Sequence, residues 1–258
     1  MLIAQRLEMA ASLCKLWAES WGMNREYHKW HSWRLGREME MLVFGYAGLP
    51  VLVFPTSCGR FFEFEGNGMV EAVRGEVEAG RLQFFCVDSV DAESWYNRSV
   101  GPRWRIARHV QYQEYILNEV VPLIRGKNQN PKLASLGCSF GGYHAANIAL
   151  RHPDIFTGFL ALSGAFDLSN FLGGYHDSDC YFNQPIQYLH NMTDPWFFEH
   201  YRRNQYVLAA GDWDICLGQT ERMASLMRWK EIPVTFDVWG ERQEHDWPLW
   251  KRMIQRYL

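Results

Sequence analysis

The sequence predicts an α/β fold, a mostly parallel sheet of about eight strands with helices on both faces. Three observations predict it. Short apolar runs without polar alternation, such as Pro50–Phe54 and Gln83–Val87, read as strands buried on both faces. Segments with apolar residues at helical spacing lie between them. Strand-like and helix-like segments alternate, the signature of a parallel sheet covered on both sides. A chain of 258 residues suits one such domain.

In chain order, Met1–Met23 has its apolar residues broken by Arg6, Glu8, Lys15 and Glu19, and its longest apolar run, Met9–Leu13, contains Ser12. An export signal needs an uninterrupted run of roughly 7–15 residues. The segment is therefore expected to be an amphipathic helix or an extension and not an export signal. Two strand-like stretches between Tyr27 and Tyr46 flank Leu35-Gly36 and read as a hairpin that adds antiparallel strands at the edge of the sheet. Pro50–Phe54 and Gln83–Val87 follow as strands, with Pro55–Gly59 a loop between them. His109–Arg125 has helical spacing, with Pro122 expected to kink its last turn. Leu133–Leu136 is a strand, Phe140–Arg151 a helix closed by Pro153, and Phe159–Leu162 and Tyr206–Ala210 further strands. Thr220–Trp229 is a helix, Pro233–Trp239 the last strand and Trp247–Leu258 the last helix. The stretch 169–204, before the seventh strand, is too long for a bare connection. Its Tyr175, Tyr181, Phe182 and Trp196 suggest a small cap-like helical insertion.

Bulk properties exclude several functions. The net charge is −3 and there is no basic stripe, so nothing points to nucleic acid. No apolar run approaches the ~20 residues of a membrane span. The six cysteines, at 14, 58, 86, 138, 180 and 216, form no C-x-x-C pair. They read as free thiols of a reducing compartment, and a cytoplasmic location is expected. His and Cys spacing gives no zinc pattern, and no metal or cofactor is expected. Whether the chain forms a homo-oligomer is left open.

Gly137-Cys138-Ser139-Phe140-Gly141 fits G-x-S-x-G, with Gly142 following and a strand and a helix on either side. A reversal this tight strains the serine backbone, and the glycines remove Cβ atoms that would clash. The result is a serine hydroxyl raised above the sheet at a helix N-terminus, where free amides favour developing negative charge. A neutral serine needs a base. His245 lies between the last strand and the last helix, at the carboxyl end of the sheet, where it can reach Ser139. The orienting acid should follow the strand Tyr206–Ala210, where Gly211-Asp212-Trp213-Asp214 offers two carboxylates. Position deeper in the loop favours Asp214, with Asp212 as a turn or capping residue. The oxyanion hole needs two amides: Phe140, after the nucleophile, and a donor from the loop after Val51–Phe54, either Ser57 or Cys58. Tyr181 and Trp247 are expected to bind substrate.

With these residues in place, the chain resembles the esterase D and feruloyl-esterase-like group of α/β-hydrolases, to which antigen 85-type mycolyltransferases are related. Four stretches carry the resemblance: Val53-Phe54-Pro55-Thr56-Ser57, the turn Gly137–Gly142, Gly211-x-x-Asp214, and His245-Asp246-Trp247-Pro248. It covers Met23–Leu258 and implies an α/β-hydrolase fold, a nucleophile at Ser139, an acid at Asp214 and a base at His245. It also implies that residues 1–22 are an extension. The expected function is serine ester hydrolysis on a small or aromatic acyl ester through an acyl-enzyme. An acyltransferase using the same triad is the nearest rival. A non-catalytic binding protein of the same fold has no need for all three residues.

Overall fold

The computed structural model describes residues 22–258. The expectation for the N-terminal extension lies, apart from Gly22, outside the described residues, as does Cys14. The hairpin forms as β1 (Arg25–Ser32) and β2 (Arg37–Phe44), paired antiparallel with Ser32 opposite Arg37. Gly36 closes its turn with φ 63° and an N–H donated to Ser32 O at 2.8 Å. The other strands are β3 (Leu49–Phe54), β4 (Leu82–Val87), β5 (Ala134–Cys138), β6 (Gly158–Leu162), β7 (Gln205–Gly211) and β8 (Thr235–Trp239). They form one eight-stranded sheet in the order β1-β2-β4-β3-β5-β6-β7-β8. β2 pairs antiparallel with both neighbours, and every pairing from β4 to β8 is parallel. The last strand starts two residues later than its sequence pattern suggested, because Pro233 has no N–H for the ladder.

Alternate side chains on the strands feed two cores. Leu52, Phe54, Phe85 and Val87 face one layer, with residues from the helices Pro102–Tyr115, Phe140–Arg151 and Leu217–Trp229. Val51, Val53, Phe84 and Cys86 face the other, closed by Phe64, Met69, Val70 and Val77 and by Leu249, Trp250, Met253 and Ile254 of the last helix, Trp247–Tyr257. Each fully buried side chain of this size contributes roughly 1.5–3 kcal/mol, so the two-sided burial of the strands sustains the parallel sheet.

Other features also differ from the sequence expectation. Short helices at Glu63–Gly66, Met69–Ala72 and Arg74–Glu78 link β3 to β4; each is too short to show a period. The helix expected from His109 begins at Pro102, where proline occupies the first turn and lacks only an N–H that would be unpaired anyway. That helix is not simply kinked at Pro122. It passes through a π-helical turn, Ile116–Val120, and resumes as Val121–Lys127. Proline removes the N–H and crowds the carbonyl four residues back, and a wider turn just before it relieves both. The stretch 169–204 holds four short helices, Ser169–Leu172, Ser178–Phe182, Pro185–Asn191 and Pro195–Arg203. Leu172, Cys180, Tyr188, Leu189 and Tyr201 from it belong to the first core, so each of the four helices is anchored there.

Candidate active site

β5 runs into Ser139, whose φ of 55° and ψ of −121° lie in a region that L-residues rarely adopt, and the helix starts at Phe140. Such backbone costs of order 1–3 kcal/mol and persists only where the surroundings hold it. A Cβ on Gly137 would meet the Gly141 carbonyl at 2.1 Å, and one on Gly141 would meet the Phe54 and Pro55 oxygens at 2.5 Å. The turn is further tied to the end of β6: Ser139 N–H donates to Leu162 O at 2.9 Å, and Ala165 N–H donates to Ser139 O at 3.1 Å.

His245 Nε2 lies 2.9 Å from Ser139 Oγ, and its Nδ1 lies 2.8 Å from Asp214 Oδ1. A carboxylate only accepts, so Nδ1 carries the ring proton and Nε2 accepts from the serine hydroxyl. The two loops that bring Asp214 and His245 together are bound to each other. Trp213 N–H donates to Gln243 O at 3.0 Å. Asp212 accepts from the Gln243 and Arg242 N–H groups at 2.7 and 3.2 Å, holding a turn in which Glu241 and Arg242 have positive φ. Gly211 is required here, since a Cβ would meet Gln243 O at 2.1 Å. Asp246 is the N-cap of the last helix, accepting from Leu249 N–H at 3.0 Å.

Asp214 is buried. Burial works against its charge, but the hydrogen bond from His245, the neighbouring Ser163 hydroxyl and the Cys216 N–H at 2.7 Å outweigh it and hold the carboxyl below the usual range. Trp250, whose ring packs edge-on at 5.0 Å from His245, donates its indole N–H to Ser163 Oγ at 2.8 Å. Trp247 touches this group through Trp250, at 4.9 Å between ring centroids.

The register pairs Phe54 with Gly137, which sets the loop after β3 beside the nucleophile turn. Among the described residues, neither Phe140 N–H nor Ser57 N–H donates within the protein. Cys58 N–H, the other donor proposed from sequence, is directed at Asp91 Oδ2 at 3.4 Å, and Cys58 has φ 57°. The Ser57 N–H is thus the one of the two without a partner within the protein among the described residues.

Tyr181 is partly buried against the first core: its hydroxyl accepts from Asn191 Nδ2 at 3.1 Å and its ring packs on Phe182 and His176. Phe171 of the same insertion packs 5.6 Å from Phe140 and 4.9 Å from Tyr96 between ring centroids. Sequence reading missed Phe171, Tyr96, Ser163 and Asp91. A usable signal existed for two of them, since Asp88–Tyr96 is a polar and aromatic stretch directly after a buried parallel strand, where ligand sites lie.

Among the described residues, Asp214, Cys216 and His245 form the one group of three possible metal-ligating side chains close together. The Cys216 thiol is pushed up to about 12 by burial and by Asp214, so a cation would have to displace its proton. Among the described residues no helix is long and apolar enough to cross a membrane.

This sheet order, with a strained serine between β5 and its helix, defines an α/β-hydrolase fold. The chain belongs to the Esterase family, described as "Putative esterase", whose model matches residues 88–257; it is a serine ester hydrolase. Solved structures of similar fold include a ferulic acid esterase, at 17% identity and a TM-score of 0.73, with 92% of this chain and 97% of that one covered. An S-formylglutathione hydrolase from Agrobacterium tumefaciens aligns at 17% identity and a TM-score of 0.72, covering 92% and 93%. A thermostable esterase from Pseudomonas putida aligns at 14% and 0.60, covering 91% and 81%. No curated protein matches by sequence.

Proposed function

We propose that the chain hydrolyses carboxylic esters of small or aromatic acyl groups through an acyl-enzyme on Ser139. The observation that carries this reading is the continuous hydrogen-bonded line from Ser139 through His245 to Asp214, at 2.9 and 2.8 Å. Ser139 Oγ attacks the carbonyl carbon as His245 Nε2 takes its proton. The oxyanion is received by the amides of Phe140 and Ser57. His245 then protonates the leaving alcohol, and water repeats the two steps to free the acid. Asp214 holds the imidazole in the tautomer this needs and stabilises the imidazolium. Tyr96 and Phe171, both partly exposed, pack on each other and on the buried ring of Phe140, the residue after Ser139, and suit a flat or small acyl group. The names of the ferulic acid esterase and the formylglutathione hydrolase fit those two acyl classes. A cytoplasmic location fits the five free cysteines of the described residues.

A panel of p-nitrophenyl esters of increasing chain length, with methyl ferulate and a thioester, tests this reading. Turnover that peaks on acetyl, propionyl or feruloyl groups supports it, and turnover confined to long chains would refute it. The aromatic contact is tested separately. Phe171→Ala is expected to change the preference between acetyl and feruloyl esters by about tenfold, equivalent to ~1.4 kcal/mol. Tyr181→Ala, whose ring packs on Phe182 and His176, is expected to leave the preference unchanged. The opposite result would return the acyl contact to Tyr181.

The pH behaviour follows from the same groups. Activity is expected to fall on the acid side through one ionisation, as protonated His245 can no longer accept from Ser139. Circular dichroism over the same range separates this from acid unfolding. Stability should show Asp214 as well. Its folded pKa lies below the unfolded one, so its contribution is present above about pH 4 and is lost as pH falls through the folded value. In urea titrations, the stability difference between wild type and Asp214→Asn should shrink as pH falls below about 4. A difference that grows there would contradict the depressed carboxyl.

A further inference from the structure

The loop after β3 makes few backbone bonds of its own: within residues 55–59, Gly59 N–H donates to Thr56 O at 2.9 Å. Side chains from elsewhere hold it nearly residue by residue. Glu63 accepts from Thr56 N–H and Oγ1 at 2.8 and 2.7 Å. The remaining partners come from the stretch that follows β4. Tyr96 hydroxyl donates to Ser57 Oγ at 2.7 Å, Asp91 accepts from Cys58 N–H at 3.4 Å, and Ser89 Oγ donates to Gly59 O at 3.0 Å. Asp88 Oδ1 accepts from Arg60 Nε and Phe61 N–H at 2.7 and 3.4 Å. Asp91 does more than hold the loop. Its other oxygen, Oδ1, lies 2.9 Å from His144 Nε2, and His144 is on the helix that begins with Phe140. Both side chains are buried, and the His144 ring is packed among Phe54, Tyr112, Phe140 and Tyr143. A carboxylate only accepts, so the imidazole donates through Nε2. One buried carboxylate therefore spans the two elements that carry the oxyanion amides, the loop bearing Ser57 and the helix bearing Phe140.

We infer that Asp91, bonded to Cys58 N–H and His144, is a positioning residue that sets the separation of the Ser57 and Phe140 amides, with Tyr96 fixing the Ser57 side of the hole. This rests on the reading of Ser139 as nucleophile and Ser57 and Phe140 as oxyanion donors. Donors placed in advance stabilise charge only where it develops, so a loosened hole weakens the transition state more than the bound substrate. Asp91→Asn keeps the size of the side chain but leaves one oxygen for two donors. Tyr96→Phe removes one hydroxyl from a half-buried ring.

The test compares both variants with wild type in ester turnover and in inhibition by an aryl trifluoromethyl ketone. Ser139 Oγ adds to that ketone's carbonyl carbon, its proton passes to His245, and the ketone oxygen becomes the oxyanion in the hole. Loss of one oxyanion donor costs on the order of 10²–10³ in kcat, so a displaced donor should cost less, on the order of 10–100-fold for Asp91→Asn and roughly tenfold for Tyr96→Phe. KM should stay within about twofold, a barrier difference under ~0.5 kcal/mol. The ketone's inhibition constant should rise by the same factor as kcat/KM falls. A purely structural role would lower the melting temperature without this proportionality, because measurements well below melting sample only folded protein. If Asp91→Asn does not fold, Tyr96→Phe alone decides by the same criterion. Lost turnover with unchanged ketone affinity, a loss that lies in KM, or full activity in both variants would overturn the positioning role alone. Wild-type enzyme left unmodified by the ketone would instead overturn the Ser139 reading, and this inference with it.

Discussion

Ser139→Ala is expected to leave the protein folded and to lower kcat by on the order of 10⁴ or more, since members of such a triad act as a unit. The backbone at residue 139 is held by Gly137, Gly141 and the bonds to Leu162 and Ala165, none of which needs the hydroxyl. The substitution therefore removes the hydroxyl and its 2.9 Å bond to His245 while keeping the turn. Circular dichroism and a melting curve establish that the variant is folded. Mass spectrometry of wild type treated with a fluorophosphonate should place a single adduct on Ser139 and none on the Ala variant. An adduct on another serine, or a variant with full turnover, would remove Ser139 from the mechanism.

The second large effect separates two carboxylates that lie two residues apart. Asp214→Asn is expected to cost on the order of 10⁴ in kcat, because an amide can no longer hold the imidazole with its proton on Nδ1. Asp212→Asn is expected to keep turnover within about tenfold and to lower stability by about 1 kcal/mol, the worth of one hydrogen bond. The structure gives the reason for the asymmetry. Asp214 Oδ1 meets His245 directly. Asp212 instead receives the N–H groups of Arg242 and Gln243 and so steadies the loop that carries the base. Asn at 212 keeps one acceptor oxygen for those two donors. Steady-state kinetics and urea unfolding of the two variants check both halves of the expectation. Should Asp212→Asn abolish turnover while Asp214→Asn retains it, the orienting acid is Asp212.

Local chemistry made part of the molecule legible in the linear chain. The turn at Ser139 reads directly because its requirement is local: glycines at 137 and 141 stand where any Cβ would strike backbone. The buried strands read as apolar runs, since both faces of a central parallel strand meet core. The place of His245, between the last strand and the last helix, follows from chain order once the sheet is parallel. The expected small insertion appears as helices between β6 and β7. Pro122 signalled a disturbance in its helix, but periodicity cannot tell a kink from a π turn, because that depends on how the neighbouring core accepts the extra width.

What only the tertiary structure decided depends on residues far apart in the chain. Ser57 and Cys58 are adjacent and equivalent in sequence; in the fold Asp91, 33 residues from Cys58, accepts from the Cys58 amide, and the Ser57 amide has no partner among the described residues. Tyr181 and Phe171 are both aromatics of one insertion, and their composition carries no direction. The fold turns Phe171 toward Phe140 and Tyr181 toward Asn191. Asp91 and His144, 53 residues apart, meet in the interior through a bond that no periodicity announces. Motifs and periods record what the backbone needs within a few residues, where steric exclusion acts. Pairings between distant loops are set by strand order and register, and these become definite only when the whole sheet has closed on its two cores.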